Sequence, residues 1–262
     1  MLDEEVRNTA LQLPKGECHV WHVSLEVADD DLSQLIEHLS DDERKRAAAF
    51  LVPAPRARYI VTRSALRLLL GCHLGIPAAT VALHVNAHGK PQLAPHHEEL
   101  RFNVSHSGAH ALIALCRDSD IGVDIELQRD LDDWTGMARM IWCHADLTRW
   151  QSLPAADRGS AFYRAWTRKE AVAKAIGLGM AADFKKLGVS FAPGEDTRVL
   201  HLDPAFGQVA EWCLIDIATP ENYSAALATR TPTIRVMQYR HATASRPQPS
   251  THSRLPPTSP SP

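Results

Sequence analysis

The 262-residue sequence predicts an α+β fold built as two similarly sized halves. Strand, helices and strands occur once before about Asp120 and again after it. The order lacks the regular strand–helix alternation of a doubly wound sheet, which argues against that class. At about 150 residues per domain, the length also falls between one domain and two. The expected organisation is therefore an N-terminal half over 1–120, a C-terminal half over 121–242 and a separate tail over 243–262.

From Cys18 to Val27 the residues Trp21, Val23, Leu25 and Val27 alternate with polar or small ones, the pattern of a half-buried strand. A helical region follows, in which Ser40 and Glu43 have capping-box spacing. Pro53 and Pro55 are expected to break the chain before a second helix that begins near Arg56. Its apolar stripe is Val61, Ala65, Leu68, Leu69 and Cys72, and Gly71 and Gly75 are expected to end it.

Val81 to Val85 and Leu112 to Cys116 read as strands, with the His88-Gly89-Lys90-Pro91 turn and the segment Phe102 to Gly108 between them. Ile121 to Leu127 is a further strand. Leu131 to Trp150 and Gly159 to Ile176 read as helices, the latter stopped by Gly177 and Gly179. Val189 to Phe191, Trp212 to Ile217 and Ala225 to Ala228 resemble later strands. Thr243 to Pro262, rich in Pro, Ser and Thr, has too few apolar residues to offset the entropy of ordering and is expected to be disordered.

A formal charge of -3 argues against a protein that coats nucleic acid through bulk positive charge, so any anion site must be local. No apolar run approaches the roughly 18 residues of a membrane span. Asp3, Glu4 and Glu5 stand where a signal peptide would be basic and apolar, which gives a soluble, cytoplasmic protein as the expectation. Cys18, Cys72, Cys116, Cys143 and Cys213 are odd in number and scattered, and read as buried thiols. His19, His22, His96 and His97 show no metal-ligand spacing and read as surface or packing residues.

Three small constellations carry chemistry. In Ile121-Gly122-Val123-Asp124-Ile125-Glu126 the strand period puts Asp124 and Glu126 on one face, where two carboxylates call for a cation such as Mg²⁺ between them. An isolated D-x-E is more often a solvated strand face. In Trp166-Thr167-Arg168-Lys169-Glu170-Ala171-Val172-Ala173-Lys174 the residues Trp166, Glu170 and Lys174 share one helix face, though a Glu–Lys pair at this spacing is commonly a surface pair. Ser105-His106-Ser107-Gly108, read as a turn, offers hydroxyl, imidazole and backbone N–H groups to a phosphate, although a lone loop histidine is usually just solvated.

In this order, together with Gly89-Lys90-Pro91 and Phe102-Asn103-Val104-Ser105-His106, these blocks resemble the Sfp-type 4'-phosphopantetheinyl transferases. The resemblance implies a pseudo-dimer with coenzyme A and Mg²⁺ in the cleft between its halves. It implies transfer of the phosphopantetheine arm to a serine of an apo acyl, peptidyl or aryl carrier protein, with release of adenosine 3',5'-bisphosphate.

Asp124, Glu126 and Glu170 match the family's metal carboxylates, Glu170 also as base, while Lys169 and Lys174 match residues near the pyrophosphate. Ser105 and His106 match a phosphate-binding pair, and Lys90 and Pro91 the turn beside the adenine and 3'-phosphate. Arg46 and Arg58 fall where basic residues hold the 3'-phosphate, although Pro53 and Pro55 depart from the usual helix there. Carriers of this kind are acidic helical bundles, so a locally basic or apolar surface is expected, and 178–187 with Met180, Phe184, Lys185 and Lys186 offers one. Met180 and Phe184 suit the core equally well. A monomer without nucleic-acid or membrane partners is expected. The competing readings are a Mg²⁺-dependent phosphohydrolase using the same carboxylates with water as nucleophile, and a degenerate relative that binds without turnover.

Overall fold

The structure, a computed structural model, describes residues 13–97, 99–130 and 133–241. The expected tail over 243–262 lies outside the described residues. The first part of the chain contributes β1 (Glu17–Ser24), α1 (Asp29–Ile36), α2 (Asp41–Ala48), α3 (Pro53–Leu74), β2 (Leu83–Val85), β3 (Pro91–Leu93), β4 (Leu100–Ser107) and β5 (His110–Arg117). The second contributes β6 (Ile121–Leu127), α4 (Trp134–Ile141), α5 (His144–Gln151), α6 (Ala155–Ile176), β7 (Gly188–Val189), β8 (Val199–His201), β9 (Cys213–Asp216), β10 (Tyr223–Thr229) and β11 (Arg235–His241). One sheet has the order β11-β1-β5-β4 and another β6-β10-β9, with β2–β3 and β7–β8 as small hairpins. The C-terminal strand β11 runs parallel to β1, so the first sheet takes its edge from the far end of the chain.

Side-chain alternation layers these elements. Along β1 and β5, Trp21, Val23, Ala111, Ile113 and Leu115 face α3, where they meet Leu66, Leu69 and Leu70. Their neighbours Cys18, Val20, Leu112 and Ala114 point the other way and pack on Val123, Ile125 and Leu227 of the second sheet. The opposite face of that second sheet, with Ala226 and Ala228, carries α6 through Ala171, Val172 and Ala175. The order of layers is thus helix, sheet, sheet, helix, and each fully buried Leu, Ile or Val contributes about 1.5–3 kcal/mol.

At one margin the two sheets are stitched by side chains. Asn103 Oδ1, Ser105 Oγ and Ser107 Oγ on β4 accept from the backbone N–H of Val123, Ile125 and Leu127 on β6, at 2.9, 3.4 and 3.1 Å. The segment read as a turn over Phe102 to Gly108 is therefore a strand up to Ser107, and the reversal sits at Gly108–Ala109. Gly108 is required there on two counts, a φ of +57° and a Cβ position only 2.4 Å from the Tyr223 hydroxyl.

Other expectations shift in detail. The capping box forms as read, with Ser40 and Glu43 each accepting from the other's backbone N–H. Pro53 and Pro55 do not delay α3 but stand in its first turn, where a missing N–H costs nothing. Gly75 ends the helix with φ +67°, while Gly71 lies inside it. The helix expected over 131–150 is two, because Trp142 turns extended and inserts its indole among Trp150, Phe162 and Phe191. β3, β8 and β11 had no counterpart in the sequence reading. Cys18, Cys116 and Cys213 are buried as expected, but Cys72 and Cys143 are only partly so. Among the described residues no helix is long and apolar enough to cross a membrane.

Candidate active site

The strand β6 turns Gly122, Asp124 and Glu126 toward α6. A Cβ on Gly122 would lie 2.0 Å from the carbonyl oxygen of Ala171 and 2.5 Å from the backbone N of Ala175. Only glycine lets the helix backbone come this close, and that approach brings one side chain of α6 after another onto the strand's carboxylates. Lys174 Nζ donates to Asp124 Oδ1 at 2.6 Å, to Ser105 Oγ at 2.9 Å and to Val123 O at 3.3 Å. Ser105 Oγ in turn donates to Asp124 Oδ1 at 2.8 Å, and Ser107 Oγ donates to Glu126 Oε2 at 2.8 Å. Trp166, one helical turn before Glu170, acts on the Glu126 carboxyl by lowering its pKa. The helix face of Lys174 thus meets the strand face of Asp124; each face follows from its spacing, and their meeting comes from the packing of α6 on β6.

The electrostatics are those of an incompletely neutralised acidic site. Burial and the charge of Asp124 push the Glu170 carboxyl up to about 7, against the pull of Lys174. Burial first, then Asp124, also raises Glu126, opposed by its bond to Ser107, by Lys174 and by Trp166. Asp124 Oδ2 and Glu170 Oε1 are buried without a hydrogen-bond partner. One lysine cannot serve three carboxylates, and an all-oxygen donor set with two orphaned oxygens suits a hard divalent cation. The carboxylates are not drawn tightly together, however: among the described residues they are not a set that brings one oxygen from each within 4.8 Å of the others.

The other expected site residues divide. His106 alternates with Ser105 and Ser107 along β4 and is exposed on the other face of that strand; partial desolvation of its ring first, then the charges of Lys174 and Arg58, lower its pKa. Arg58, exposed on α3, is near enough for its charge to act on the His106 ring. Arg46 is exposed on α2 with its guanidinium over the Tyr59 ring at 5.5 Å. The Ser105 hydroxyl is buried, donating to Asp124 and accepting from Lys174 and from the backbone N–H of Ile125, so it orients the carboxylate.

Lys169 is a correction in place. It is fully buried on the other side of α6 and donates to the carbonyls of Ile141 at 2.6 Å and Phe184 at 2.9 Å, so it is not brought to the carboxylates. The ammonium of Lys90 is also spent inside the protein, on Lys174 O at 2.6 Å and Ile121 O at 3.1 Å, where it caps the C-terminus of α6. Burial lowers it to about 8. Pro91 opens β3, half-buried beside it. In the stretch over 178–187, Phe184 is core beneath Trp166, and Lys185 and Lys186 are exposed, Lys186 with Asp203 at 3.3 Å.

Sequence reading missed Asn103 and Ser107 as supports of β6, and Gly122 as the contact point of helix and strand. Their signal was present: Asn103, Ser105 and Ser107 alternate along β4 as Val123, Ile125 and Leu127 do along β6. Nothing in the sequence said that the two strands would be neighbours.

The profile of the 4'-phosphopantetheinyl transferase superfamily matches residues 120–228, and that of the 4'-phosphopantetheinyl transferase N-terminal region matches residues 24–117. The 4'-phosphopantetheinyl transferase HetI of Nostoc sp. is 33% identical over 220 residues, covering 83% of this chain and 90% of HetI. The chain belongs to the 4'-phosphopantetheinyl transferase superfamily. It is similar at 23% identity to the human L-aminoadipate-semialdehyde dehydrogenase-phosphopantetheinyl transferase, over 75% of this chain and 69% of that protein. The 4'-phosphopantetheinyl transferase AcpT of Salmonella typhimurium is 35% identical over 78 residues, 30% of this chain and 41% of AcpT. The enzyme is thus a transferase that places phosphopantetheine on carrier proteins, and these similarities give the phosphohydrolase reading no support.

Proposed function

We propose that the transfer takes place where β6 meets α6, with coenzyme A lying between the two sheet-and-helix halves in a pseudo-dimeric arrangement. The observation that carries this reading is the pair of buried, unpartnered oxygens, Asp124 Oδ2 and Glu170 Oε1, in two carboxylates that both feel the charge of one lysine, Lys174. Asp124 and Glu126 are the residues that would hold Mg²⁺, with Glu170 completing the set directly or through a water. When bound, the cation supplies Lewis-acid neutralisation of charge on the pyrophosphate of coenzyme A.

The carrier serine hydroxyl attacks the β-phosphorus and adenosine 3',5'-bisphosphate leaves. Lys174, fixed on Asp124 and Ser105, places positive charge where the pyrophosphate oxygens gain negative charge. Glu170 takes the hydroxyl proton; its buried carboxylate, short of hydrogen-bond donors, is a better base than a solvated one. His106, Arg58 and Arg46, all exposed, are the donors assigned to the remaining phosphate charge. The partner is an apo acyl, peptidyl or aryl carrier protein of acidic surface, met by exposed Lys185 and neighbouring groups.

Intact-mass spectrometry of a panel of apo carriers with this protein, coenzyme A and Mg²⁺ tests the reading. Addition of one phosphopantetheine to the carrier serine, lost in Glu170→Gln, is the expected result. Full activity in that variant would remove the base from Glu170, and no addition on any acyl or peptidyl carrier by a folded protein would overturn the assignment.

A further inference from the structure

Behind the catalytic helix lies a second convergence of ligand-type side chains, chemically unlike the first. Cys143 stands at the N-cap of α5, Asp146 is three residues on in its first turn, and His201 ends β8. One donor atom from each, the Cys143 sulfur, an Asp146 carboxylate oxygen and a His201 ring nitrogen, lie within 4.8 Å of one another. We propose that these three residues bind a borderline transition-metal cation of the Zn²⁺ class, tying the start of α5 to the β7–β8 hairpin.

Ordinary roles for the three leave too much unexplained. An N-cap side chain accepts from the helix's first turn, yet Cys143 makes no such bond, so its sulfur is not capping. Asp146 is 8% exposed, and its Oδ2 is buried with no hydrogen-bond partner. A carboxylate oxygen so placed is costly unless a cation or donor meets it. Lys169, a buried cation that feels the charge of Asp146, gives its hydrogen bonds instead to the carbonyls of Ile141 and Phe184.

The placement of His201 is built into the fold. Its register partner is Gly188, and a Cβ there would fall 2.1 Å from His201 Nδ1, so the glycine makes the room in which the imidazole lies. Ligands around tetrahedral Zn²⁺, at about 2.0–2.3 Å from the metal, are about 3.3–3.8 Å apart, so side-chain shifts on the order of 1 Å close the set. Thiolate, imidazole and carboxylate together select Zn²⁺ or Co²⁺ over Mg²⁺, the reverse of the all-oxygen cluster at Asp124. His201 is exposed, which gives the ion an entry path and leaves a fourth position for water. With only three protein ligands and the Lys169 ammonium nearby, affinity should fall below that of a closed four-ligand structural site.

The test uses the full chain, reduced and stripped of metal with a chelator, with Mg²⁺ kept in excess to occupy the carboxylate cluster. Titration with Co²⁺ should produce, at one equivalent, a near-ultraviolet thiolate-to-cobalt charge-transfer band and visible bands of tetrahedral cobalt, both abolished by Zn²⁺. The carboxylate cluster contains no cysteine and cannot give the first band. His201→Ala, at an exposed position, and Asp146→Asn, which keeps the side chain's shape, should each weaken Co²⁺ binding tenfold or more while circular dichroism stays unchanged. Absence of the charge-transfer band in the unaltered chain would overturn the proposal. So would a band that persists with unchanged affinity in His201→Ala, since the thiolate would then belong to another cysteine. Should either variant misfold, His201→Gln gives the same comparison with most of the side-chain volume retained.

Discussion

Asp124 and Glu170 are both buried carboxylates at the contact of β6 and α6, yet their surroundings give them different work. Lys174 and Ser105 both donate to Asp124 Oδ1, which fixes its bare Oδ2 as a ligand, whereas Glu170, which also has a bare oxygen, is not held by such a pair of donors. Asp124→Ala should therefore weaken metal binding above all, with part of the lost carrier-modification rate recovered at raised Mg²⁺ or Mn²⁺. Glu170→Gln keeps the shape but cannot accept a proton, so turnover should fall by about a hundredfold or more with coenzyme A binding retained, and added metal should not restore it. Rates against metal concentration, with calorimetry for coenzyme A, separate the two. Full metal rescue of Glu170→Gln would assign its role to coordination alone. Ser105→Ala offers a milder check. It strands the buried N–H of Ile125 and removes one donor from Asp124, which should cost about 1–3 kcal/mol of stability in denaturant melts.

Among elements, the distance between β6 and α6 decides whether these residues meet, and Gly122 sets it. Gly122→Ala must push the helix off the strand, since the new methyl would meet backbone and not a side chain that could turn away. Overpacking of this kind costs about 1–3 kcal/mol. The misplacement of Glu170 and Lys174 should lower kcat tenfold or more, because positioning dominates phosphoryl transfer. Unchanged kcat and melting temperature would show that the helix has slack at this point. The Asp124–Glu126 face and the Trp166–Glu170–Lys174 face were both legible in the sequence, because each depends only on the local period of a strand or a helix. Their partners were not. Ser105 as a brace, Lys169 as a core cation and Lys90 as a helix cap all depend on which elements pack together, and β11 was invisible because this edge strand, broken up by Arg235, Gln238 and Arg240, alternates weakly in hydrophobicity and pairs with residues more than 200 positions away. The split of 131–150 into α4 and α5 likewise follows from where the Trp142 indole finds its core.

At the scale of the whole molecule, the parallel pairing of β11 with β1 closes the first sheet and buries histidines from both ends of the chain. His19 on β1 and His241 on β11 are 1% and 6% exposed, and burial lowers both to about 4, as it does His73 on α3. Their unfolded value is near 6.5, so between about pH 4 and 6.5 the unfolded chain binds more protons and stability rises with pH. The raised carboxyls act in the opposite sense: Glu170, at about 7 when folded against about 4.5 unfolded, loses stability as pH rises through that interval, and Glu126 shares its direction. Three fully displaced histidine protons outweigh these two carboxyls, and each proton in excess is worth about 1.4 kcal/mol per pH unit. The melting temperature of the metal-free protein should accordingly fall as pH drops below about 6.5. Above that value His19, His73 and His241 are neutral in both states, and the profile should flatten once Glu170 has ionised. Calorimetric scans from pH 4.5 to 8 measure the sum, and His241→Gln, which keeps a polar ring-sized group but cannot take the proton, should make the acid limb shallower. A melting temperature that stays constant or climbs as the solution is acidified would mean that the buried carboxyls, not the histidines at the β1–β11 closure, govern how the fold responds to protons.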